Sequence, residues 1–145
     1  MHKLRKKLWP EARDAFIEAY RRAPNETSYA LLATVNWLRI GRSNESRQFL
    51  EQAIRGVRRE TMDWYILRLF YDFAGDNDVA VRIDRERNPD IKARTLFYLA
   101  QYYDIRGNRI LADKYFMQVR ELNRRGIPEW RLNEWTVTER NLNVF

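Results

Sequence analysis

An internal repeat of about 34 residues constrains the fold of this chain more than any other feature of its sequence. Gly41, Gly75 and Gly107 each end an aromatic-rich segment, and they follow one another at intervals of 34 and 32 residues. The three segments read TVNWLRIG, RLFYDFAG and AQYYDIRG. A fixed period in this range is typical of proteins built by stacking copies of one small supersecondary unit.

Two further positions keep the same register. Small residues recur early in the second helix of each predicted unit, where helices that cross closely leave little room: Ala12, Ser46, Ala80 and Ala112. Large apolar residues follow four positions later at three of the four places: Phe16, Leu50 and Phe116. A spacing of four places both residues on one helix face. The remaining place holds Asp84, and Asn88 with Pro89 stops that helix early, so the third unit is predicted to be the loosest.

The pattern resembles the tetratricopeptide repeat (TPR) family, whose 34-residue helix-turn-helix units carry W-x2-L-G-x2-Y, A-x3-F and P. The fourth unit matches it most fully, through Leu96, Leu99, Ala100, Tyr103, Ala112 and Phe116. The third matches through Trp64, Leu67, Tyr71 and Ala80, and the second through Ala30, Ala33, Thr34, Trp37, Ser46, Leu50 and Ala53. The first carries only Ala12, Phe16, Ala19 and Pro24. The resemblance implies an all-α fold, a right-handed α-solenoid of about three and a half TPR-type repeats with a C-terminal capping helix.

Eight helices are predicted, near 10–22, 26–40, 43–57, 61–74, 76–87, 90–106, 108–124 and 128–140. Asn44, Asp76 and Asn108 follow the turn glycines as caps or near-caps. The prediction is a single TPR-like domain over 1–145, with a partial first repeat at 10–24, repeats at 27–60, 61–92 and 93–126, and a capping helix at 127–141. Because the first repeat lacks its first helix, the chain is expected to be a piece of a longer protein.

The apolar residues of the capping helix do not form one narrow stripe, which predicts contacts on two sides and leaves room for a second copy of the chain: Trp130, Leu132, Trp135 and Val137.

Few residues could carry catalysis or bind a metal. His2 is the only histidine and there is no cysteine, so His-based acid-base chemistry and His/Cys metal sites are not expected. Asp76, Asn77 and Asp78 lack the distant Glu that closes a calcium loop. We therefore expect no enzyme, no catalytic residue, no metal and no cofactor. The chain is also expected to be soluble, without a signal peptide or membrane span, and its composition leaves the compartment open.

The net charge of +7 raises nucleic acid, or another anionic surface, as an alternative partner. The arginines recur in pairs near the ends of the second helices, where cations complement the helix dipole: Arg21 and Arg22, Arg58 and Arg59, Arg85 and Arg87, Arg124 and Arg125. This distribution favours a structural role, so nucleic acid is the less favoured partner.

The resemblance implies a concave face lined by the first helix of each repeat. The peptide-binding residues predicted on that face are Leu31, Val35, Leu38, Tyr65, Leu69, Asp72, Phe97, Gln101 and Asp104. Some TPR proteins bind a peptide carboxylate through Lys, Arg and Asn, but Leu31, Val35 and Met62 are among the residues at the matching positions here. The predicted function is a protein-interaction scaffold that binds a partner segment in an apolar groove with an acidic rim. In the alternative interpretation, Leu31, Leu69 and Phe97 belong to the core between helices.

Overall fold

Helices form all the regular secondary structure in the described part of the chain. The computed structural model describes residues 17–19, 22, 26–140 and 142. Seven helices have defined bounds: α1 (Thr27–Arg39), α2 (Ser43–Gly56), α3 (Met62–Asp72), α4 (Asp76–Arg85), α5 (Pro89–Ile105), α6 (Arg109–Leu122) and α7 (Glu129–Glu139). The prediction of an all-α chain is confirmed for these residues, and each predicted boundary lies within two residues of the observed one. The helix predicted at 10–22 falls largely outside the described residues, although 17–19 and 22 are helical.

The chain divides into two compact units, Met1–Ala74 and Gly75–Phe145. In unit 1, α1 packs against α2 and α3, and α2 packs against α3. In unit 2, α5 and α6 form the most extensive helix pair, α4 packs against α5, and α7 packs against both α5 and α6. The predicted repeat limits stay predictions.

Of the seven helices with defined bounds, three begin at a side-chain cap. The Thr61 hydroxyl accepts a hydrogen bond from the Trp64 N–H at the start of α3. The Asn88 side chain accepts from two backbone N–H groups of α5, whose first residue, Pro89, has no N–H to satisfy. Asn108 caps α6 through the Leu111 N–H, as predicted. Asn44 and Asp76 instead lie in the first turn of their helices, and α2 and α4 begin without a side-chain cap.

Two of the three glycine turns have the same geometry. Gly41 (φ 78°) follows α1 and Gly107 (φ 83°) follows α5, both in the left-handed region that glycine adopts without steric cost. Each turn has the two hydrogen bonds of a Schellman motif, from Gly41 N–H to Leu38 C=O and Arg42 N–H to Trp37 C=O, and from Gly107 N–H to Asp104 C=O and Asn108 N–H to Tyr103 C=O. The turn at Gly75 differs, because Phe73 is also left-handed (φ 54°) and Gly75 occupies the cap position of α4.

Four of the described register residues lie in the core, two in α2 and two in α6. Ser46 and Leu50 are buried in α2, and Ala112 and Phe116 are buried in α6. In α4, the helix predicted to be loosest, Val79 and Ile83 are buried, Ala80 is half-buried and Asp84 is exposed. Ala12 and Phe16 lie outside the described residues. Across the described part of the chain, no helix combines the length and the apolar composition needed to cross a membrane.

Candidate binding surfaces

The nine residues predicted to line a groove differ widely in exposure. Five are buried: Leu31, Val35, Leu69, Phe97 and Gln101. Leu38, Tyr65 and Asp104 are half-buried, and Asp72 is exposed. A side chain without accessible surface reaches a partner only after rearrangement, so in this structure the five buried residues act as core side chains. Their burial agrees with the alternative interpretation of Leu31, Leu69 and Phe97, and the assignment of the nine to a peptide groove stays a prediction.

The predicted acidic rim consists of carboxylates that already bind arginines of this chain. Asp72 accepts from Arg68, one turn earlier on α3, with an N–O distance of 3.0 Å. Asp104 accepts from Arg140, the residue that follows α7, at 2.6 Å. Because both charges are compensated internally, a basic partner residue would have to displace an existing ion pair.

Arg140 joins three helices of unit 2. Its guanidinium donates to Asp104 of α5 and to Asp113 of α6, and its side chain is only 13% exposed. Burial lowers the pKa of Arg140, but the hydrogen bonds to Asp104 and Asp113 raise it by more, so that the net shift is upward from the ordinary value. Arg140 is therefore a permanently charged contact between α7 and its two neighbours.

The rest of the α7 interface is also mainly polar. Glu129, Asn133, Thr136 and Val137 are its buried residues. The Tyr98 hydroxyl donates to Glu129 Oε2 at 2.6 Å, and Asn133 Nδ2 donates to the Phe116 carbonyl at 3.0 Å. Trp135, in contrast, is 51% exposed.

This polar interface was not predicted, because the prediction for α7 rested on its apolar residues. Glu129, Asn133 and Arg140 are spaced four and seven residues apart, which places them on one face of a helix. That spacing was the available signal, but polar residues at helical spacing are more often solvent-facing.

Tyr103 and Tyr115 form a stacked pair near the start of α4. Tyr103 also contacts Asp76, one of the residues considered above for a calcium loop. The Tyr103 hydroxyl donates to Asp76 Oδ2 at 2.7 Å, and its ring stacks on Tyr115 with centroids 5.8 Å apart. Burial, together with the hydrogen bond to Asp76, raises the pKa of Tyr103 well above its ordinary value of 10.0. Asp78, two residues on, pairs with Arg82 at 2.9 Å. Both aspartates are therefore engaged in contacts within unit 2.

A series of arginine and aromatic side chains lies on α2, α3 and the connection between them. We call it the Arg–aromatic face, and it consists of Arg47, Arg59, Trp64, Arg68 and Tyr71. The Arg47 guanidinium lies 4.1 Å from the Tyr71 ring centroid, and that of Arg59 lies 5.9 Å from Trp64. Arg68 lies between the two rings, 5.5 Å from Trp64 and 5.9 Å from Tyr71. Trp64, Arg68 and Tyr71 share one face of α3 because they are four and three residues apart.

Of the arginine pairs predicted near helix ends, Arg85 lies in the last turn of α4, whereas the pairs after α2 and α6 lie two and three residues past the last helical residue. Arg58 and Arg59 lie beyond the end of α2, and Arg124 and Arg125 lie beyond the end of α6. The dipole effect falls off outside the last turn, so other contacts hold these residues. Arg124, for example, pairs with Asp90 at 2.7 Å, and Arg125 lies 5.7 Å from the Trp130 ring. Arg87 follows the end of α4, and Arg21 falls outside the described residues.

The polar groups described above contact one another within each unit. Among the described residues there is no group of three or more His, Cys, Asp and Glu placed to hold a metal ion. Comparison of the chain with protein-family models, with curated proteins and with solved structures finds no match in any of the three.

Proposed function

We propose that this chain is a protein-interaction scaffold and not an enzyme, built as a right-handed α-solenoid of TPR-type helix pairs that binds a segment of a partner protein. The observation that carries the proposal is the repeated turn. Two Schellman turns, at Gly41 and Gly107, have equivalent hydrogen bonds and lie 66 residues apart, close to twice the repeat period. Equivalent turns at a multiple of the period are expected of a repeat array.

Equivalent packing supports the same proposal. Five and nine residues after each of the two turn glycines, the helix that follows buries a small residue and then a large apolar one. Ser46 follows Gly41 by five residues and Leu50 follows it by nine, and Ala112 and Phe116 follow Gly107 by five and nine. A small residue with a large apolar one a turn later is the pattern that lets two helices of a unit approach closely.

The step from a repeat array to binding is an analogy between folds. Repeat arrays present extended surfaces, and many bind peptides through them, but a fold does not by itself determine a function. In unit 1, Leu38 and Tyr65 are the predicted groove residues with accessible apolar surface. We propose these two as contact residues for a partner segment.

The charge distribution supports this function over nucleic-acid binding. Residues 1–25 contain seven Lys or Arg and three Asp or Glu, so four of the seven net positive charges lie there. The other residues are close to balance, and several described arginines form internal ion pairs, among them Arg68, Arg124 and Arg140. A nucleic-acid surface needs uncompensated cations gathered on one face.

The experiment is a peptide-display selection against the intact immobilised chain, followed by affinity measurements on the selected peptides. We expect the double variant Leu38→Ser, Tyr65→Ser to bind them at least about tenfold more weakly, because it removes apolar contact area. Ile110→Ser is the matched control, since it removes an exposed apolar side chain, 82% accessible, from unit 2. Circular dichroism verifies that each variant is folded.

Failure to select any peptide, or equal affinities for both variants, would contradict the proposal. Sedimentation with a short DNA duplex at low and high salt tests the alternative partner. A duplex complex that dissociates as salt rises would favour nucleic-acid binding.

A further inference from the structure

The Arg–aromatic face of unit 1 carries two guanidinium groups that are held in place without being neutralised. Arg59 is exposed, and its contact is the face of the Trp64 ring. Arg47 is also exposed, lies over the Tyr71 ring and donates through Nη1 to the Tyr71 carbonyl at 3.1 Å. Neither forms an ion pair with a carboxylate of the described residues. Their remaining N–H groups are donors for a ligand.

Two acidic side chains near this face, Glu51 and Asp72, are engaged with other residues, whereas Glu60, next to Arg59, is exposed. Glu51 accepts from the Tyr71 hydroxyl at 2.8 Å and lies 4.0 Å from Arg55. Asp72 pairs with Arg68 at 3.0 Å. Glu51 and Asp72 therefore do not compete for the guanidinium groups of Arg47 and Arg59, and Glu60 forms no ion pair with Arg59.

Ring contacts favour recognition of an anion by these arginines. A guanidinium that stacks on an aromatic ring has restricted rotamers, so less side-chain entropy is lost when it binds. Trp64 and Tyr71 are seven residues apart on α3, which corresponds to about 10 Å along the helix axis. An extended peptide covers a comparable distance in about three or four residues.

The face is better suited to carboxylates than to a nucleic-acid strand. Proteins that bind single strands stack the bases on open aromatic faces. Here each ring already has two guanidinium groups within 6 Å of its centroid. Residues 26–74 also carry seven Arg and six Asp or Glu, too little excess charge for strong attraction to a phosphate backbone.

We propose that the Arg–aromatic face binds an acidic, extended segment of a partner protein, with carboxylates four residues apart, on one side of the segment, contacting Arg47 and Arg59. This inference rests on the proposed function, because it assigns the chemistry of the partner to a scaffold that binds polypeptides. It places the charged contact on α2, α3 and their connection, next to the apolar contact at Tyr65, whose ring lies 5.0 Å from the Trp64 ring between centroids.

The test uses fluorescence anisotropy with the intact chain and a labelled peptide that has Glu at every fourth position in a Gly/Ser background. The variants are Arg59→Gln and the double change Arg47→Gln, Arg59→Gln. The matched control, Arg85→Gln with Arg87→Gln, removes the same charge from exposed positions of unit 2. We expect about fivefold weaker binding for the double variant and less than about twofold for the control, with affinity falling as salt rises.

The single variant Arg59→Gln removes a charge and a ring contact but no hydrogen bond within the chain, so weaker peptide binding by this variant reports directly on the face. Arg47→Gln also removes a hydrogen bond to the Tyr71 carbonyl near the end of α3 and is therefore used only in the double variant. Equal binding of a Gln-substituted peptide, or equal losses in both double variants, would overturn the inference, and so would tighter binding of an oligothymidylate. If peptides from the display selection still require Leu38 and Tyr65 while the Glu peptide does not bind, the inference fails and the proposed function stands.

Discussion

Arg140 binds two carboxylates from two helices, Asp104 of α5 and Asp113 of α6. The side chains of the three residues are 13%, 23% and 28% exposed, so solvent screens this cluster only in part. An ion pair that is partly withdrawn from water is costly to break from one side, because the remaining charge stays desolvated. Single polar residues such as Arg140 therefore contribute to the packing of α7 against α5 and α6.

We expect Arg140→Ala to lower the free energy of unfolding by about 2 kcal/mol, less than for a fully buried pair, because the site is partly exposed. Urea denaturation measures the change. Arg131→Ala is the control, since Arg131 is exposed on the same helix, and it should cost less than about 0.5 kcal/mol. Similar losses for both variants would show that the Asp104 and Asp113 contacts contribute little.

The titration of Tyr103 makes the free energy of unfolding depend on pH in the alkaline range. Burial and the hydrogen bond to Asp76 raise its pKa in the folded state above 10.0, so folding favours the protonated phenol. This contribution is complete below the unfolded pKa and is lost as the pH rises from about 10 towards the folded pKa.

We expect Tyr103→Phe to reduce stability by about 1 kcal/mol near neutral pH, since Asp76 loses a hydrogen-bond donor. Above about pH 10 the variant should lose stability less steeply than the unmodified chain, because it lacks this titrating group. Urea denaturation at about pH 7 and about pH 11 checks both points. Tyr29→Phe is the control, because the Tyr29 hydroxyl has no hydrogen bond among the described residues. Parallel pH profiles for Tyr103→Phe and the unmodified chain would contradict the expectation.

At the scale of elements, the caps and turns determine where helices begin and end. Asn88 and Pro89 start α5, and Asn108 starts α6 directly after the left-handed Gly107. These local signals explain the accuracy of the predicted boundaries. α4 differs from α2 and α6, because it is shorter and carries an exposed Asp84 where those two helices bury a large apolar residue.

We expect Gly107→Ala to destabilise the chain by about 1 kcal/mol, because alanine is strained in the left-handed region. The space around the added methyl group is open, so the cost is conformational and not steric. Gly126→Ala provides a matched control, because its surroundings are equally open and its φ is not positive. It should be neutral or stabilise by up to about 0.5 kcal/mol. Thermal denaturation of the two variants measures the difference, and equal effects would refute the assigned role of Gly107.

At the scale of the whole molecule, charge is distributed unevenly along the chain. Residues 1–25 hold four of the seven net positive charges, whereas residues 26–74 and 75–140 are each near balance. A high net charge therefore gives no evidence by itself for an anion-binding surface on the described helices. The proposed acidic-peptide site depends on two particular arginines, Arg47 and Arg59, and not on the overall charge.

The helix content and helix boundaries followed from the sequence, because hydrophobic periodicity, caps and left-handed glycines act over a few neighbouring residues. The sequence did not predict how exposed the nine candidate groove residues are. Leu31, Leu69 and Phe97 have the same local pattern whether their side chains face solvent or another helix, and only packing makes them core residues.

For the described residues, the sequence alone thus determined the helical content, the helix boundaries and the core positions of α2 and α6. Tertiary structure decided which polar groups meet. Tyr98 with Glu129, Tyr103 with Asp76, and Arg140 with Asp104 and Asp113 are 27 or more residues apart, so no local pattern links them. Such contacts depend on the positions of whole helices, which are set by the summed packing of the core.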